Sequence, residues 1–343
     1  MKSQNLTNRI KLKSLSILPY GLLVRVYNSS KRNKDALNSS VEDLIIKRFF
    51  KDSPIVKDFN ATIDRAKKNN KWCVIEQTVF SYSYVNVCLI SEVISLTLWC
   101  LENGYMPLYD IKNKDNTEEN LWERMFRQPF DADLNDVKRS GNYIICPFNT
   151  YVWPDMQDAR NPQRVMFWNK MFKMFVVYND DCQKYLDDEY ETIIKGKRVL
   201  GTLIRGVEYE KAALKNHPKQ PSVDEFISKA KEVLLKDELD YVYLATEDET
   251  IANKVKKAFG DKVLVNKRQY YDKHYRDDDF RKKPITYDRE DGAFLKALEY
   301  MSSINLVSKC DSFVGGLCGG SEAAEFFNGN QYKTNYIFDR GVF

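Results

Sequence analysis

Three groups of residues that could bind an anionic ligand each follow a predicted β-strand. In the first group, Arg205 comes directly after the apolar segment 199–204, and Glu208 and Glu210 follow it. A guanidinium at a strand end can make forked contacts to a phosphate, and a nearby carboxylate can act as a general base. An exposed loop with an ion pair would have the same residues, so both interpretations stay open for this segment.

The second group is a glycine-rich turn between a predicted strand and a predicted helix. Gly315 and Gly316 end the strand, and Gly319, Gly320 and Ser321 lead into the helix. Glycines let the backbone approach a ligand closely, and the free N–H groups at a helix start attract anions. Tight strand–helix packing with a serine cap is the alternative. The concentration of glycine in this short segment favours an anion site.

The third group is an acidic turn. Thr246, Glu247 and Asp248 follow the apolar segment 240–245. Their carboxylates could accept hydrogen bonds from the edge of a guanine base or from ribose hydroxyls. An acidic cap on the following helix, predicted at 249–259, explains the same residues equally well.

Residue counts and missing motifs exclude several classes of site. His217 and His274 are the only two histidines, so a metal site with several histidines cannot form. The sequence has no G-x-x-x-x-G-K-[ST], G-x-G-x-x-G or G-x-S-x-G motif, which argues against P-loop, ordinary dinucleotide and α/β-hydrolase chemistry. The seven cysteines form no C-x-x-C pair, and we expect reduced core thiols in a reducing compartment.

Basic residues are concentrated at the start of the sequence. Residues 1–34 contain eight Lys or Arg and no acid, whereas the whole chain has a net charge of +4. This leader could be a solvated arm or a first strand, could contact an anionic membrane surface, or could bind nucleic acid. No apolar stretch reaches the ~18 residues of a membrane span, and no secretory signal is visible. We therefore expect a cytoplasmic protein that could lie peripherally on the inner membrane surface.

Strand and helix patterns alternate along the chain. The predicted strands are 72–76, 106–110, 143–147, 199–204, 240–245, 262–265 and 311–314, and the predicted helices are 40–51, 55–68, 87–103, 166–190, 223–235, 249–259, 290–308 and 321–328. A chain of 343 residues exceeds one ordinary core, so we expect two α/β domains, residues 1–190 and 191–343. Parallel sheets of this kind bind ligands at the carboxyl ends of their strands.

In order and spacing, these segments resemble the α-1,6-fucosyltransferase family, which includes the core and nodulation fucosyltransferases (glycosyltransferase family 23-like). The likeness covers residues 70–330. It is carried by Arg205-Gly-Val-Glu-Tyr, by His217-Pro218 opening a helix, by Tyr243-Leu-Ala-Thr-Glu-Asp, and by Ser308-Lys-Cys-Asp-Ser-Phe-Val before the glycine turn. The segment Leu121-Trp-Glu-Arg-Met-Phe-Arg-Gln-Pro is similar to a further family element.

The resemblance implies a GT-B fold, with two Rossmann-like, doubly wound domains facing across a cleft. It also implies an inverting glycosyltransferase with a nucleotide-diphosphate sugar donor, above all GDP-fucose, with no metal and no further cofactor. The acceptor would be a glycan or a lipid-linked saccharide, and nucleic acid is not an expected partner.

Single residues receive roles from the same resemblance. Arg205 would hold the β-phosphate of the donor, and Glu247 or Asp248 would contact guanine. The other donor contacts would come from a set of small or polar residues, namely Thr246, His217, Gly319, Gly320 and Ser321. Leu203 and Ala213 stand where the family has a nucleotide-binding histidine and a catalytic carboxylate. Glu208, Glu210 or a residue of the first domain would therefore supply the base.

Two alternatives have their own sequence features. The D-x-D triplet Asp131-Ala-Asp133 fits a metal-dependent transferase, but no strand clearly precedes it, and we expect no metal site there. A non-catalytic glycan- or nucleic-acid-binding protein could use the basic leader with the aromatic residues Tyr82, Tyr84, Tyr151 and Trp153. An enzyme requires Arg205, the acidic turn and the glycine turn to meet in one site, whereas such a binder requires a continuous basic face.

Overall fold

A computed structural model describes residues 15–20, 22–23, 36–79, 86–114, 119–147, 152, 154, 158–206, 217–270 and 289–343. The chain divides into two compact units. Unit 1 comprises residues 1–77, 91–110 and 128–154, and unit 2 comprises residues 78–90, 111–127 and 155–343. Residues 155–190 therefore group with the second unit. None of the helices in the described ranges is long and apolar enough to cross a membrane.

The described residues form the following elements. The helices are α1 Ala36–Asp52, α2 Pro54–Lys57, α3 Phe59–Asn69, α4 Val87–Glu102, α5 Leu134–Ser140, α6 Pro162–Phe175, α7 Asp180–Ile193, α8 Val223–Lys236, α9 Glu249–Phe259, α10 Gly292–Ser308 and α11 Gly319–Asn328. The strands are β1 Trp72–Val79, β2 Met106–Asn113, β3 Tyr143–Ile145, β4 Val199–Leu203, β5 Tyr241–Ala245, β6 Val263–Leu264, β7 Ser312–Gly316 and β8 Asn335–Phe338.

The sheet of unit 2 has the order β6-β5-β4-β7-β8, and each adjacent pair is parallel. On one face, Leu200 and Val314 pack with Phe226 of α8 and Ile251 of α9 in a buried cluster. On the other face α10 comes close to Gly201, where a Cβ atom would lie 3.2 Å from the carbonyl oxygen of Val307. The sheet is therefore covered by helices on both faces, as a doubly wound fold requires.

The sheet of unit 1 has the order β2-β1-β3, and β1 is parallel to β3 with Trp72 opposite Tyr143. Leu108 of β2 packs with α5 in a buried cluster. The next residue, Tyr109, points to the opposite face, because side chains alternate along a strand. Its hydroxyl lies 2.8 Å from Oγ1 of Thr97 on α4. The two units thus confirm the α/β class with parallel sheets, whereas a cleft between two domains stays a prediction.

Three local expectations differ from the structure. The segment predicted as one helix at 166–190 is two helices, because Asn179 caps a new helix by accepting a hydrogen bond from the N–H of Cys182. His217 and Pro218 do not open α8, which begins after a capping box made by Ser222 and Glu225. The edge strand β8 has no counterpart in the sequence prediction.

β4 is flanked by β5 and β7, and the three strands run in the same direction. Their carboxyl ends at Leu203, Ala245 and Gly316 therefore share one edge of the sheet. The chain leaves β4 toward β5 on one side and returns to β7 on the other, which opens a crevice at this edge. The three predicted ligand-binding groups all follow these strand ends.

Candidate functional site

A pocket opens at this carboxyl edge in unit 2, and the space between its lining residues, counted out to the open mouth, is about 410 Å³. It is lined by residues at and after the ends of β4 and β5, by one residue after β6, by residues of α10, and by the N-cap and first turn of α11: Leu203, Ile204, Arg205, Gly206, Ala245, Thr246, Glu247, Arg268, Tyr300, Ser303, Ile304, Cys318 and Gly320. The arginine, the acidic turn and the glycine turn thus meet in one site.

Arg205 reaches the pocket because the ladder between β4 and β5 ends just before it. The N–H of Ile204 donates to the carbonyl of Ala245 at 3.0 Å, which extends the pairing one residue past β4. Arg205 is the next residue and is partly buried at the pocket wall. Its charge acts on Tyr300, whose pKa burial raises and the nearby Arg205 guanidinium lowers in part. The raised pKa keeps the Tyr300 hydroxyl protonated, so it can donate to an anion.

The two acids that follow β5 have different surroundings. Asp248 is fully buried, and its Oδ1 accepts hydrogen bonds from the N–H groups of Thr250 (2.8 Å) and Ile251 (3.2 Å), so it is the N-cap of α9. Glu247 lines the pocket and its side chain is 23% exposed. Of the two acids, Glu247 is therefore the one placed to contact a ligand.

Arg268 is a pocket residue that the sequence patterns did not single out. Its side chain is only 3% exposed. Nη1 donates to Oγ of Ser303 at 3.1 Å, and Nη2 lies 3.6 Å from Oε1 of Glu247. Arg268 follows β6 as Arg205 follows β4, so a basic residue shortly after a predicted strand was the available signal. Tyr300 and Ser303 lie within a helix, where no such signal exists.

A buried polar network holds the segment after β6 against α10. Oδ1 of Asn266 accepts a hydrogen bond from the Tyr243 hydroxyl at 2.9 Å and lies 3.2 Å from Oγ of Ser303. Nδ2 of Asn266 donates to the carbonyl oxygen of Glu299 at 3.1 Å. Because Arg268 is two residues from Asn266 and itself contacts Ser303, this network fixes its guanidinium at the pocket wall.

The glycine turn differs in detail from the prediction. α11 begins at Gly319, two residues before the expected start, and Cys318 occupies the N-cap position without a capping side-chain hydrogen bond. Ser321 is not the cap, because its hydroxyl is buried and donates to the carbonyl of Gly316 at 2.6 Å. The first N–H groups of α11 therefore lack a side-chain cap and lie next to the pocket residue Gly320.

Gly320 keeps the pocket open at this turn. A Cβ atom on Gly320 would lie 3.1 Å from the Tyr300 hydroxyl oxygen and 3.1 Å from Cδ1 of Leu203. Gly319 instead faces Val87, whose Cγ2 would lie 3.4 Å from a Cβ at that position. Of the two predicted glycines, Gly320 is the one that lines the pocket.

Several predicted residues lie elsewhere. Glu208 and Glu210 fall outside the described residues, as do most of the basic leader and the aromatic residues Tyr82, Tyr84, Tyr151 and Trp153. His217 is exposed, its carbonyl accepts from the N–H of Phe343, and it does not line the described pocket. Asp133 belongs to unit 1, where its side chain accepts from the N–H of Asp136 as the N-cap of α5.

The charged groups of the pocket favour an anionic ligand that also carries hydrogen-bond donors. Arg205 and Arg268 supply two positive charges, and Glu247 supplies one negative charge. The N-terminal end of α11 adds a partial positive charge on the same side. A phosphate group would meet the arginines and the helix end, while a base or sugar with N–H or O–H groups could donate to Glu247.

By structure, the chain is similar to fucosyltransferases. One is POFUT1 in complex with GDP, at TM-score 0.44 and 8% identity, with 78% of this chain and 98% of that chain covered. Another is the α-1,6-fucosyltransferase NodZ co-crystallised with GDP, at TM-score 0.43 and 10% identity, with 79% of this chain and 96% of that chain covered. A third is a FUT1 variant from Arabidopsis thaliana in complex with GDP, at TM-score 0.41 and 10% identity, with 87% of this chain and 78% of that chain covered. No protein-family model and no curated protein sequence matches the chain.

Proposed function

We propose that this protein is a glycosyltransferase that transfers a sugar from a nucleotide-diphosphate donor, GDP-fucose, to a hydroxyl group of a glycan or lipid-linked saccharide. The observation that carries the proposal is the convergence of Arg205, Arg268, Glu247 and the start of α11 on one pocket at the carboxyl edge of a parallel sheet. A nucleotide diphosphate combines the two features that these groups recognise, a dense negative charge and a base with N–H donors.

Guanine is the base that Glu247 would select. The N1–H and N2–H₂ groups of guanine lie side by side and can both donate to one carboxylate, whereas adenine and uracil lack this pair of donors. Oδ1 of Asp248 already accepts hydrogen bonds from N–H groups of α9, and the residue is fully buried. We therefore assign base recognition to Glu247 and helix capping to Asp248.

The diphosphate would lie against Arg205 and the N-terminal end of α11. When the bond between C1 of the sugar and the β-phosphate oxygen breaks, negative charge grows on the leaving diphosphate. A preorganised guanidinium and helix N–H groups stabilise such charge in a largely buried site, which lowers the barrier. We propose that these groups stabilise the leaving diphosphate in place of the divalent cation that metal-dependent transferases use.

The acceptor oxygen would attack C1 from the face opposite the leaving group. The new bond between oxygen and C1 forms as the old bond breaks, so the configuration at C1 inverts. The acceptor proton passes to a carboxylate acting as general base, and GDP leaves. We propose Glu208 or Glu210 for this role, because both follow Arg205 closely in the sequence.

Calorimetric titration of the purified protein with GDP, UDP and ADP tests the donor assignment. We expect GDP to bind at least about tenfold more tightly than UDP or ADP, because only guanine offers both donors to Glu247. Release of GDP from GDP-fucose, with and without a pool of saccharide acceptors, tests transfer. Acceptor-dependent GDP release is the expected result.

Arg198→Ala is the matched control for variants of the pocket. Arg198 directly precedes β4, at the end opposite Arg205, and forms an exposed ion pair with Asp240 at 2.9 Å. The Arg198→Ala variant should bind GDP as tightly as the natural chain. Equal affinity for the three nucleotides, or no binding of any nucleotide, would contradict the donor assignment. Binding without acceptor-dependent release would leave a GDP-binding protein rather than a transferase.

A further inference from the structure

Three cysteine side chains from separate elements meet in the interior of unit 1. Cys73 lies on β1, Cys100 on α4, and Cys146 directly after β3. Their Sγ atoms all lie within 4.8 Å of one another, and all three residues are buried. All three are free thiols. The proposed transfer reaction uses none of them, and the donor pocket belongs to unit 2.

Backbone pairing sets the positions of these thiols. Val74 packs with α5 on one face of the sheet, so its neighbour Cys73 points to the opposite face. The N–H of Cys146 donates to the carbonyl of Val74 at 2.8 Å, which places Cys146 beside β1. Cys100 comes from α4, the helix that contacts β2 through Thr97 and Tyr109. The cluster is therefore held by the sheet and by one helix rather than by a loop alone.

We propose that Cys73, Cys100 and Cys146 form a three-sulfur site for one thiophilic metal ion, and that Cu(I) is the ion that fits it. Metal–sulfur bonds of about 2.3 Å place the three sulfurs of a trigonal site about 4 Å apart. The sulfurs already lie within 4.8 Å of one another, so shifts of less than about 1 Å would complete the coordination. Thiolate sulfur is the ligand that soft ions such as Cu(I) prefer.

The number of ligands and the burial favour Cu(I) over Zn(II). Structural zinc sites take four ligands, and open zinc sites take water as the fourth. In the part of the chain that the structure describes, the cluster offers three ligand groups, and Cys73 and Cys100 have no exposed surface to admit water. Cu(I) is stable with three sulfur ligands. Binding forms three copper–sulfur bonds, releases the thiol protons to solvent and transfers no electrons.

A bound ion would cross-link α4 to the sheet of unit 1, so the site is structural. The test uses the full chain, purified under reducing, oxygen-free conditions and titrated with Cu(I) in competition with a coloured Cu(I) chelator. We expect one copper per chain, a sulfur-to-copper charge-transfer band in the ultraviolet, and a rise in Tm. X-ray absorption at the copper edge should show three sulfur neighbours at about 2.3 Å. Zn(II) alone, as a second probe, should bind more weakly.

Cys146→Ala and Cys100→Ala should each abolish tight binding. Cys88→Ala, which removes an exposed thiol, and Cys182→Ala, which removes a buried thiol of unit 2, should retain it. Absence of stoichiometric binding, loss of binding in Cys88→Ala, or retention in Cys146→Ala would overturn the proposal. If Cys146→Ala and Cys100→Ala fail to fold, the X-ray absorption spectrum of the copper-loaded natural chain still tests the proposal. Fewer than three sulfur neighbours around copper in that spectrum would contradict the three-sulfur site.

Discussion

Nη2 of Arg268 lies 3.6 Å from Oε1 of Glu247, so residues that follow two neighbouring strands form an ion pair inside the pocket. The pair matters because the Arg268 side chain is almost fully buried, and a buried charge needs a partner. A ligand that donates to Glu247 would be bound beside a guanidinium that can contact its phosphates. The proposed function would thus assign the two halves of a nucleotide diphosphate to two side chains that contact each other.

Arg268→Ala should weaken GDP binding by about 10- to 100-fold, because it removes charge-assisted hydrogen bonds and leaves Glu247 unpaired near the phosphates. Arg268→Lys should recover only part of the affinity, since lysine cannot reproduce the fork of a guanidinium. Calorimetry with GDP measures both effects. Unchanged affinity in Arg268→Ala would remove this residue from the donor site.

Arg205→Ala should lower kcat/KM for transfer by at least about 100-fold, as expected for the loss of a preorganised charge stabiliser. The thermal unfolding midpoint should change little, because the residue follows the strand rather than lying within it. Initial rates at varied GDP-fucose, with Arg198→Ala as the control, give the comparison. Near-normal turnover would show that leaving-group stabilisation comes from elsewhere.

Glu247→Gln and Asp248→Asn should separate base recognition from helix capping. Glu247→Gln should reduce the preference for GDP over ADP, because an amide cannot accept two guanine donors with the strength of a carboxylate. Asp248→Asn should instead preserve the preference and lower the free energy of unfolding by less than about 1 kcal/mol, since asparagine is also a good N-cap. The opposite pattern in nucleotide titrations would assign base recognition to Asp248.

Transfer activity should survive excess EDTA. The two arginines and the start of α11 already provide positive potential at the pocket, so we expect that a bound diphosphate there requires no divalent cation. Asp131→Ala should leave GDP affinity unchanged. Asp133→Asn is the matched variant, because asparagine can keep the cap that Asp133 provides to α5. Loss of activity in EDTA that Mn²⁺ restores would contradict this mechanism.

Glu325 predicts a pH dependence of stability. This α11 residue is 4% exposed and accepts a hydrogen bond from Nδ2 of Asn335. Burial raises the pKa of its carboxyl from 4.5 to about 7. Between these values the folded chain holds a proton that the unfolded chain has lost, so this contribution to stability declines as the pH rises from 4.5 to about 7.

Urea unfolding of the natural chain and Glu325→Gln at several pH values from 5 to 8 measures this effect. Relative to that of the variant, the free energy of unfolding of the natural chain should fall by about 3 kcal/mol as the pH rises across this window, because one pKa unit corresponds to about 1.4 kcal/mol. Glu232→Gln, at an exposed position of α8, is the control and should follow the natural chain. Parallel curves for the natural chain and Glu325→Gln would show that Glu325 is ionised throughout.

The sequence by itself determined most elements of unit 2, except β8 and the break between α6 and α7, and the positions of three candidate ligand-binding groups. Apolar segments with helices between them predict parallel strands, and parallel strands place their carboxyl ends at one edge. Arg205, Glu247 and Gly320 follow three such ends, so their convergence could be expected from local patterns. These patterns reflect side-chain periodicity, which is a local property of each segment and does not depend on the rest of the chain.

Only the tertiary structure decided the order of the strands and the residues that enter the pocket from elsewhere. Arg268 reaches Glu247 because β6 lies beside β5, and Tyr300 reaches Gly320 because α10 covers the same face as α11. Which of Glu247 and Asp248 lines the pocket and which caps a helix likewise depends on where α9 begins. The meeting of Cys73, Cys100 and Cys146 has the same origin: residues far apart in the chain become neighbours through sheet register and helix packing, which no local pattern encodes.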